Sequence, residues 1–268
     1  MLNASSHVAA SPEELDDTEP VTPPSWPLLL GEGRAFYELG LFYQALPALL
    51  AAPRGDGHTV MVLPGFTASD LSTSLLRWYL RRQGYDARGW TLGRNLGFST
   101  QLELRMARRL QNLHWRSGRK VSMVGWSLGG IFARELARLH PEMVRQVVTL
   151  GSPFAASPRA TNVWRLYERV SGQRVEDIDP ELLRRMREHP PVPSTAVYSR
   201  SDGVASWRAC LEPEASHTDN VRVPGSHCGL GHNPWAVYVI ADRLAQCEDE
   251  WRPFARKGLR RVMFPPHR

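Results

Sequence analysis

Short runs of apolar, β-forming residues alternate with amphipathic stretches through most of the chain. The apolar runs predict strands at residues 59–63, 86–91, 120–126, 144–151, 194–199 and 220–223. Apolar residues recur at helical spacing over residues 70–83, 100–116, 128–139 and 234–246. Such alternation predicts an α/β fold, with a mostly parallel sheet and helices on both of its faces.

The pattern G-x-S-x-G occurs at residues 125–129, between a predicted strand and a predicted helix. A serine in this position is typical of a nucleophile elbow, where strand and helix pack so closely that a Cβ beside the serine would clash. Gly125 and Gly129 satisfy that requirement. We therefore expect Ser127 to be a nucleophile at the carboxyl edge of the sheet.

A serine hydroxyl is a weak nucleophile at neutral pH, so the elbow needs a histidine base and a carboxylate that orients it. Asp202 lies at the tip of the turn that follows the strand-like run at 194–199. His227 lies in the glycine-rich loop that follows the run at 220–223. The order Ser127, Asp202, His227, each after a strand, predicts a catalytic triad.

Other acids and histidines compete for these roles. Asp219 and His217 precede the last predicted strand and are expected at the opposite edge of the sheet. His232 shares the glycine-rich loop with His227 and stays a rival, although His227 is preferred because it comes first after the strand. His58, at the end of an element, is expected to be a surface histidine.

Acyl transfer also needs two backbone N–H groups aimed at the developing oxyanion. The first is expected from Leu128, the residue after the nucleophile, and the second from the loop after the strand at 59–63. That loop reads Pro64-Gly65-Phe66-Thr67, so the Phe66 amide is the candidate second donor. Judged alone, Pro64-Gly65 is more typical of an ordinary strand-to-helix turn.

Together these segments resemble the α/β-hydrolases, and among them the lipase and carboxylesterase branch. The resemblance spans residues 54–250, and it includes the Gly151-Ser152-Pro153 segment. Family members usually carry His-Gly before the oxyanion residue, whereas Pro64 takes the place of the histidine here. The resemblance implies a serine hydrolase that cleaves carboxylic esters through a Ser-His-Asp triad and an acyl-enzyme, with no metal or organic cofactor required. Thioesterases and acyltransferases of the same family are the alternative.

Residues 1–52 are expected to form an N-terminal arm and an apolar helix, and residues 53–268 the hydrolase domain. Within the N-terminal part, residues 1–27 predict a mobile or draped arm. The apolar stretch at 28–50 predicts a helix that packs on the core, anchors at a lipid interface or walls the acyl pocket.

An insertion at about residues 154–193 is expected to form a small helical cap, or lid, over the site. The candidate substrate-binding residues are Trp126, Trp164 and Tyr167. The last two lie within the insertion, where they would serve equally well as the cap's own packing residues.

The chain carries 33 Lys and Arg against 27 Asp and Glu, a formal net charge of +6. Because these basic residues are scattered and interleaved with acids, we expect no nucleic-acid partner. The most concentrated basic run, residues 252–268, is expected to be a flexible end. No zinc-type spacing and no phosphate-binding glycine-rich loop with a lysine occurs, so no metal site is expected.

Residues 1–10 lack the basic leader and apolar run of a secretory signal, and charged residues, glycines and a proline interrupt the stretch at 28–50 too often for a membrane span. These features predict a cytoplasmic protein whose three cysteines are free. A bond between Cys210 and Cys228, joining the acid and base loops, is the less favoured alternative. The expected partner is a small-molecule or lipid ester, with peripheral contact to a lipid interface left open and no oligomeric state predicted.

Overall fold

The computed structural model describes residues 21–258 and 260–266. Predictions about residues 1–20 lie outside this range. The strands of the described part are β1 (Thr59–Leu63), β2 (Asp86–Gly89), β3 (Val121–Trp126), β4 (Val144–Leu150), β5 (Ser194–Tyr198) and β6 (Thr218–Arg222). Its helices are α1 (Trp26–Leu30), α2 (Ala35–Leu50), α3 (Ser74–Arg82), α4 (Thr100–Ser117), α5 (Leu128–Leu139), α6 (Trp164–Ser171), α7 (Pro180–Arg187), α8 (Pro234–Leu244) and α9 (Arg260–Met263).

The six strands form one sheet in the order β2-β1-β3-β4-β5-β6. Every neighbouring pair is parallel, as in the register Val62 beside Val124 between β1 and β3. All residues of β1, β4 and β5 are buried, as expected of parallel strands that are covered on both faces. The predicted fold class is confirmed.

The predicted strand at residues 86–91 ends early, at Gly89. The cause is the Asp70 carboxylate, which accepts the backbone N–H groups of Trp90 and Thr91, each at 3.0 Å. These amides are then unavailable to a strand ladder. The helix α3 likewise begins later than predicted, at Ser74.

Two apolar clusters cover the two faces of the sheet. Val60 and Val62 of β1 belong to the cluster beneath α2, α3 and α8, whereas Met61 and Leu63 belong to the cluster beneath α4 and α5. Successive residues of a strand point to opposite faces, so one strand supplies both cores. Helices on both faces follow directly from this division.

The helix α2 is part of the core and not an appendage. Phe42 and Leu49 are buried on its inner side, and the Phe42 ring meets Tyr79 of α3 edge-on with centroids 6.3 Å apart. The outer side is apolar as well, since Phe36 is 84% and Tyr37 68% exposed. Of the three predicted roles, packing on the core is the one that these contacts match. Within the described residues, none of the helices combines the length and apolar character that a membrane crossing would require.

Two helices, α6 and α7, lie between β4 and β5 together with short 3-10 turns at Pro158–Ala160 and Val175–Asp177. They occupy the region where the cap was predicted. Asp179 caps α7, because its carboxylate accepts the Glu181 N–H at 2.9 Å. The three cysteines of the chain are free thiols, so no bond joins Cys210 to Cys228.

Replacing Phe42 by Ala is expected to lower the free energy of unfolding by about 3–5 kcal/mol, because it leaves a cavity between α2 and α3. Tyr43→Ala is the matched control, since the neighbouring ring is 57% exposed. That variant should lose less than about 1 kcal/mol. Urea denaturation followed by circular dichroism measures both. Equal losses in the two variants would show that α2 is not packed as described.

Candidate active site

The chain passes directly from β3 through Ser127 into α5. Ser127 has φ 52° and ψ −124°, a conformation that L-residues rarely adopt. A Cβ on Gly125 would lie 2.3 Å from the Gly130 Cα, and one on Gly129 would lie 2.5 Å from the Leu63 carbonyl oxygen. Only glycine therefore fits at both positions. The predicted elbow geometry is present, and it leaves Ser127 half-buried.

Asp202 and His227 form a buried pair. His227 Nδ1 lies 2.7 Å from Asp202 Oδ2. The other carboxylate oxygen, Oδ1, accepts the N–H groups of Val204 at 2.8 Å and Ala205 at 2.7 Å. These bonds hold the carboxylate in place, so that Oδ2 is directed at the imidazole.

The pair lies at the same edge of the sheet as Ser127. The Trp126 indole N–H, next to the elbow serine, donates to the His227 carbonyl at 3.0 Å. Gly151 follows Leu150, whose carbonyl accepts the Ser127 N–H at 2.8 Å, and a Cβ on Gly151 would lie 3.0 Å from both Asp202 Oδ2 and His227 Nδ1. Within the described chain no hydrogen bond joins the Ser127 hydroxyl to the imidazole. Contacts of this kind commonly tighten when substrate binds.

The surroundings of His227 favour its protonated form. Burial by itself lowers the pKa of His227, but the charge of Asp202 and the hydrogen bond to it act in the opposite direction, with a further contribution from Glu32. The balance raises the pKa of His227 above the ordinary value of 6.5. An imidazole so placed is a stronger base than a free one.

The rival residues have other partners. His232 Nε2 lies 2.9 Å from the Ala35 carbonyl oxygen, so that nitrogen is engaged with α2. Asp219 accepts the Phe254 N–H at 2.6 Å, and His217 lies 3.1 Å from His189. Among the described residues, no hydrogen bond or ion pair joins any of these three to Asp202 or His227.

The loop after β1 approaches the elbow closely. A Cβ on Gly65 would lie 3.3 Å from the Ser127 Cβ. In the described part of the chain, neither the Phe66 nor the Leu128 amide donates a hydrogen bond to protein. The fold itself therefore uses neither of these two N–H groups.

Asn95, which the sequence analysis did not single out, holds this loop. Its side-chain amide donates to the Pro64 carbonyl at 2.9 Å, and its backbone carbonyl oxygen accepts the Thr67 N–H at 2.6 Å. Asn95 is fully buried. The neighbouring Arg94 is exposed.

A cavity of about 590 Å³ opens beside Ser127. Its wall is largely apolar and comes from the elbow, the loop after β1 and the insertion; it includes Phe66, Leu128, Ile131, Trp164, Tyr167, Leu182, Leu183 and Met186. Two of the three predicted substrate-binding residues, Trp164 and Tyr167, thus face this space. Trp126 does not line it. No residue of α2 lines it either, so the prediction that the segment at 28–50 walls the pocket is not supported.

A second Ser-His-Asp arrangement lies at the opposite edge of the sheet. His58 Nε2 is 2.8 Å from Ser122 Oγ, and His58 Nδ1 is 2.5 Å from Asp56 Oδ1. Ser122 lies inside β3 and is fully buried, and His58 is 1% exposed. The prediction of a surface histidine is therefore wrong, because β1 starts at the next residue and carries His58 into the core. Without access or an elbow, this arrangement holds the sheet together.

Two acids of the N-terminal segment also reach the site, and the sequence analysis missed them. Glu32 and Glu38 contact the backbone of the loops that carry Asp202 and His227. The sequence feature that could have indicated them is their position as acidic residues within the apolar stretch at 28–50. Among the described residues, no group of three His, Cys, Asp or Glu side chains is arranged to hold a metal ion.

Comparison with known proteins agrees with the fold. Residues 93–189, less than half of the chain, match the family described as PGAP1-like alpha/beta domain. Aspergillus fumigatus lipase B is similar over 71% of this chain, with 16% identity and a TM-score of 0.54, and the match covers only 53% of that enzyme. No curated protein matches the sequence.

Two further lipases have the same fold at the same identity, 16%. Bacillus licheniformis lipase BlEst2 in its mature form aligns over 74% of this chain and 93% of its own, with a TM-score of 0.52. The monoacylglycerol lipase of Paleococcus ferrophilus aligns over 72% and 96%, also with a TM-score of 0.52. The chain therefore has the α/β-hydrolase fold.

Asp202→Asn is expected to lower the pKa of His227, because burial is then opposed by the Glu32 charge but no longer by the charge of Asp202. A titration of the imidazole resonances by NMR measures this directly. His114→Gln, which changes a histidine outside the site, identifies a signal to exclude from the assignment. If Asp202→Asn leaves the pKa of His227 at the wild-type value, the Asp202–His227 pair is not formed in solution.

Proposed function

We propose that this protein is a serine hydrolase that cleaves carboxylic esters through Ser127, His227 and Asp202. The observation that carries the proposal is the strained serine at the β3–α5 turn, which lines an apolar cavity at the sheet edge where the Asp202–His227 pair lies. Strained backbone at a cavity is a common property of active sites. The lipases of the same fold support the choice of ester chemistry.

The reaction proceeds in two steps. Ser127 Oγ attacks the ester carbonyl carbon while His227 Nε2 takes its proton, and the imidazolium then protonates the departing alcohol. Asp202 holds the imidazole through Nδ1 and stabilises its positive charge. Water, activated by His227 in the same way, then attacks the acyl-enzyme and releases the acid, which restores the serine.

The Phe66 and Leu128 amides stabilise the charge that develops on the carbonyl oxygen. Both are backbone donors without a protein partner among the described residues, so no existing hydrogen bond has to break before they donate to an oxyanion. Each donor in such a site contributes about 3 kcal/mol to lowering the barrier. Asn95 keeps the Phe66 loop in position, since it bonds both Pro64 and Thr67.

The acyl group of the substrate occupies the cavity between the elbow and the insertion. The apolar side chains of α5, α6 and α7 in its wall suit an aliphatic chain, and α6 and α7 cover it as a lid. Esters with such chains collect at lipid interfaces. The exposed rings of Trp26, Phe36 and Tyr37 give the N-terminal helices an apolar outer face suited to peripheral contact there.

Ser127→Ala is expected to lower kcat for p-nitrophenyl esters by about 10⁴–10⁶-fold, with the circular dichroism spectrum unchanged. It should also abolish labelling by a fluorophosphonate probe. Ser122→Ala is the matched control, because it removes the serine of the buried Ser-His-Asp arrangement. That variant should keep both activity and labelling. Labelling of Ser127→Ala at the wild-type rate would refute the proposed nucleophile.

A panel of p-nitrophenyl esters of increasing acyl length is expected to show kcat/KM rising until the cavity is full. Each buried CH₂ contributes about 0.8 kcal/mol, or about fourfold. Leu183→Trp fills part of the cavity and should move the optimum to shorter chains, whereas Leu166→Trp, on the exposed side of α6, should leave it in place. Acyl-CoA substrates tested in parallel decide between an esterase and the thioesterase alternative. A flat chain-length profile in the wild type would show that the acyl group binds elsewhere.

A further inference from the structure

The carboxylate of Glu32 joins the acid loop to the base loop. Its Oε1 accepts the Gly203 N–H at 2.8 Å and the His227 N–H at 3.0 Å, and its Oε2 accepts the Cys228 N–H at 2.7 Å. Gly203 follows the acid Asp202, and His227 is the base itself. One side chain from a distant part of the sequence therefore contacts the backbone of both.

The following turn of the same segment adds a second set of contacts. Glu38 Oε1 accepts the Ser226 N–H at 2.7 Å, and Glu38 Oε2 lies 3.1 Å from Asn233 Nδ2. Arg34 donates to the Gly225 carbonyl at 3.0 Å and also to the Ser201 carbonyl, and it pairs with Glu38. These bonds tie the two ends of the base loop to the start of the acid loop.

Because they lack a Cβ, Gly203 and Gly229 let the N-terminal segment approach both loops closely. A Cβ on Gly229 would lie 2.0 Å from Glu38 Oε2, and one on Gly203 would lie 2.2 Å from the Leu28 carbonyl oxygen. A side chain at position 203 would displace the backbone of the N-terminal segment, and one at position 229 would displace the Glu38 carboxylate. Since neither glycine has a positive φ, close approach and not backbone conformation requires them.

Burial of the Glu32 carboxylate near Asp202 costs electrostatic free energy, and other interactions must offset this cost. Two negative charges lie near one imidazole, and burial of a carboxylate is tolerated only where its oxygens are hydrogen-bonded. Three backbone N–H groups satisfy that condition for Glu32. The charge in turn favours a positive imidazole, the form that His227 takes in the transition state.

The charged groups around His227 come from two elements. Asp202 faces it from the acid loop and Glu32 from the 3-10 turn Gly31–Arg34. Cys228 is the adjacent titratable group, and burial raises its pKa to about 12, so it stays neutral. Glu38 and Arg34 contact the loop at Ser226 and Gly225 instead.

We propose that Glu32 is a positioning residue that holds the acid and base loops together and supports the charge of the His227 imidazolium. Glu38 and Arg34 secure the same loops mechanically. The inference rests on the proposed function, because a positioning role requires a reacting triad. The N-terminal segment is then part of the catalytic machinery rather than an appended helix.

Glu32→Gln tests the inference, because it keeps the shape of the side chain and removes its charge. We expect kcat for p-nitrophenyl esters to fall about 10–100-fold with KM within about twofold. His227 must be neutral to act as a base, and loss of the Glu32 charge lowers its pKa. The acidic limb of the kcat/KM profile should therefore move to lower pH, a shift that mere loosening of the fold would not produce.

Glu38→Gln is the matched control, since Glu38 is a second buried acid on the same segment and also accepts a backbone N–H of the base loop. It should lower the melting temperature but leave the pKa of His227, titrated by NMR, at the wild-type value. If Glu32→Gln keeps both the wild-type kcat and the wild-type pKa, or if Glu38→Gln moves the pKa equally, the inference is wrong.

Two further measurements keep the test decisive. If Glu32→Gln does not fold, Glu32→Asp retains the charge and should keep the pKa of His227 raised while kcat falls; a lowered pKa would contradict the inference. Failure of the proposed function has a different signature, since the wild type would then neither hydrolyse esters nor react with a fluorophosphonate. The NMR titration of Glu32→Gln still decides whether Glu32 acts on His227 in that case.

Discussion

The direct contact between β3 and α5 is the constraint on which the site depends. Because Gly125 and Gly129 lack a Cβ, the strand and the helix meet within one residue, and the chain can make that turn only with Ser127 at positive φ. Gly129 also lies against the carbonyls of Leu63 and Pro64, at the base of the loop that carries Phe66. The same contact therefore positions the proposed nucleophile and brings the candidate oxyanion donors beside it. A parallel sheet makes this arrangement possible, since the carboxyl ends of all its strands lie at one edge.

The acid and base loops depend on a more distant contact. Both loops begin where β5 and β6 end, so the N–H groups of Gly203, Ser226 and His227 have no partner in a strand ladder. The carboxylates of Glu32 and Glu38 supply the missing bonds by accepting backbone N–H groups, which also satisfies their buried charge. The segment that carries them packs on α3 and α8 through Phe42 and Leu49. The same segment therefore contributes both to the apolar core and to the hydrogen bonds that hold the two loops.

The described residues include two sets of Ser, His and Asp at the edges of the sheet, and we propose only the set of Ser127, His227 and Asp202 as an active site. The pair of His58 and Ser122 is closed off from solvent, and its serine has ordinary strand conformation. Ser127 has a strained backbone and faces a cavity, although its hydroxyl is not bonded to the imidazole. Access and backbone strain, and not distances alone, separate a reactive serine from a structural one.

Local patterns determined much of this protein. Strand and helix positions, the parallel sheet and the elbow at Ser127 follow from the sequence, because periodicity and glycine spacing report on contacts between near neighbours. The choice of Asp202 and His227 follows from their order after strands, and the structure pairs these two side chains. Only the tertiary structure decided the rest: that His58 is buried, that Asn95 holds the loop after β1, and that Glu32 reaches His227 across 195 positions of the chain. A side chain's partner at that separation depends on how whole elements pack, and no local pattern of residues records it.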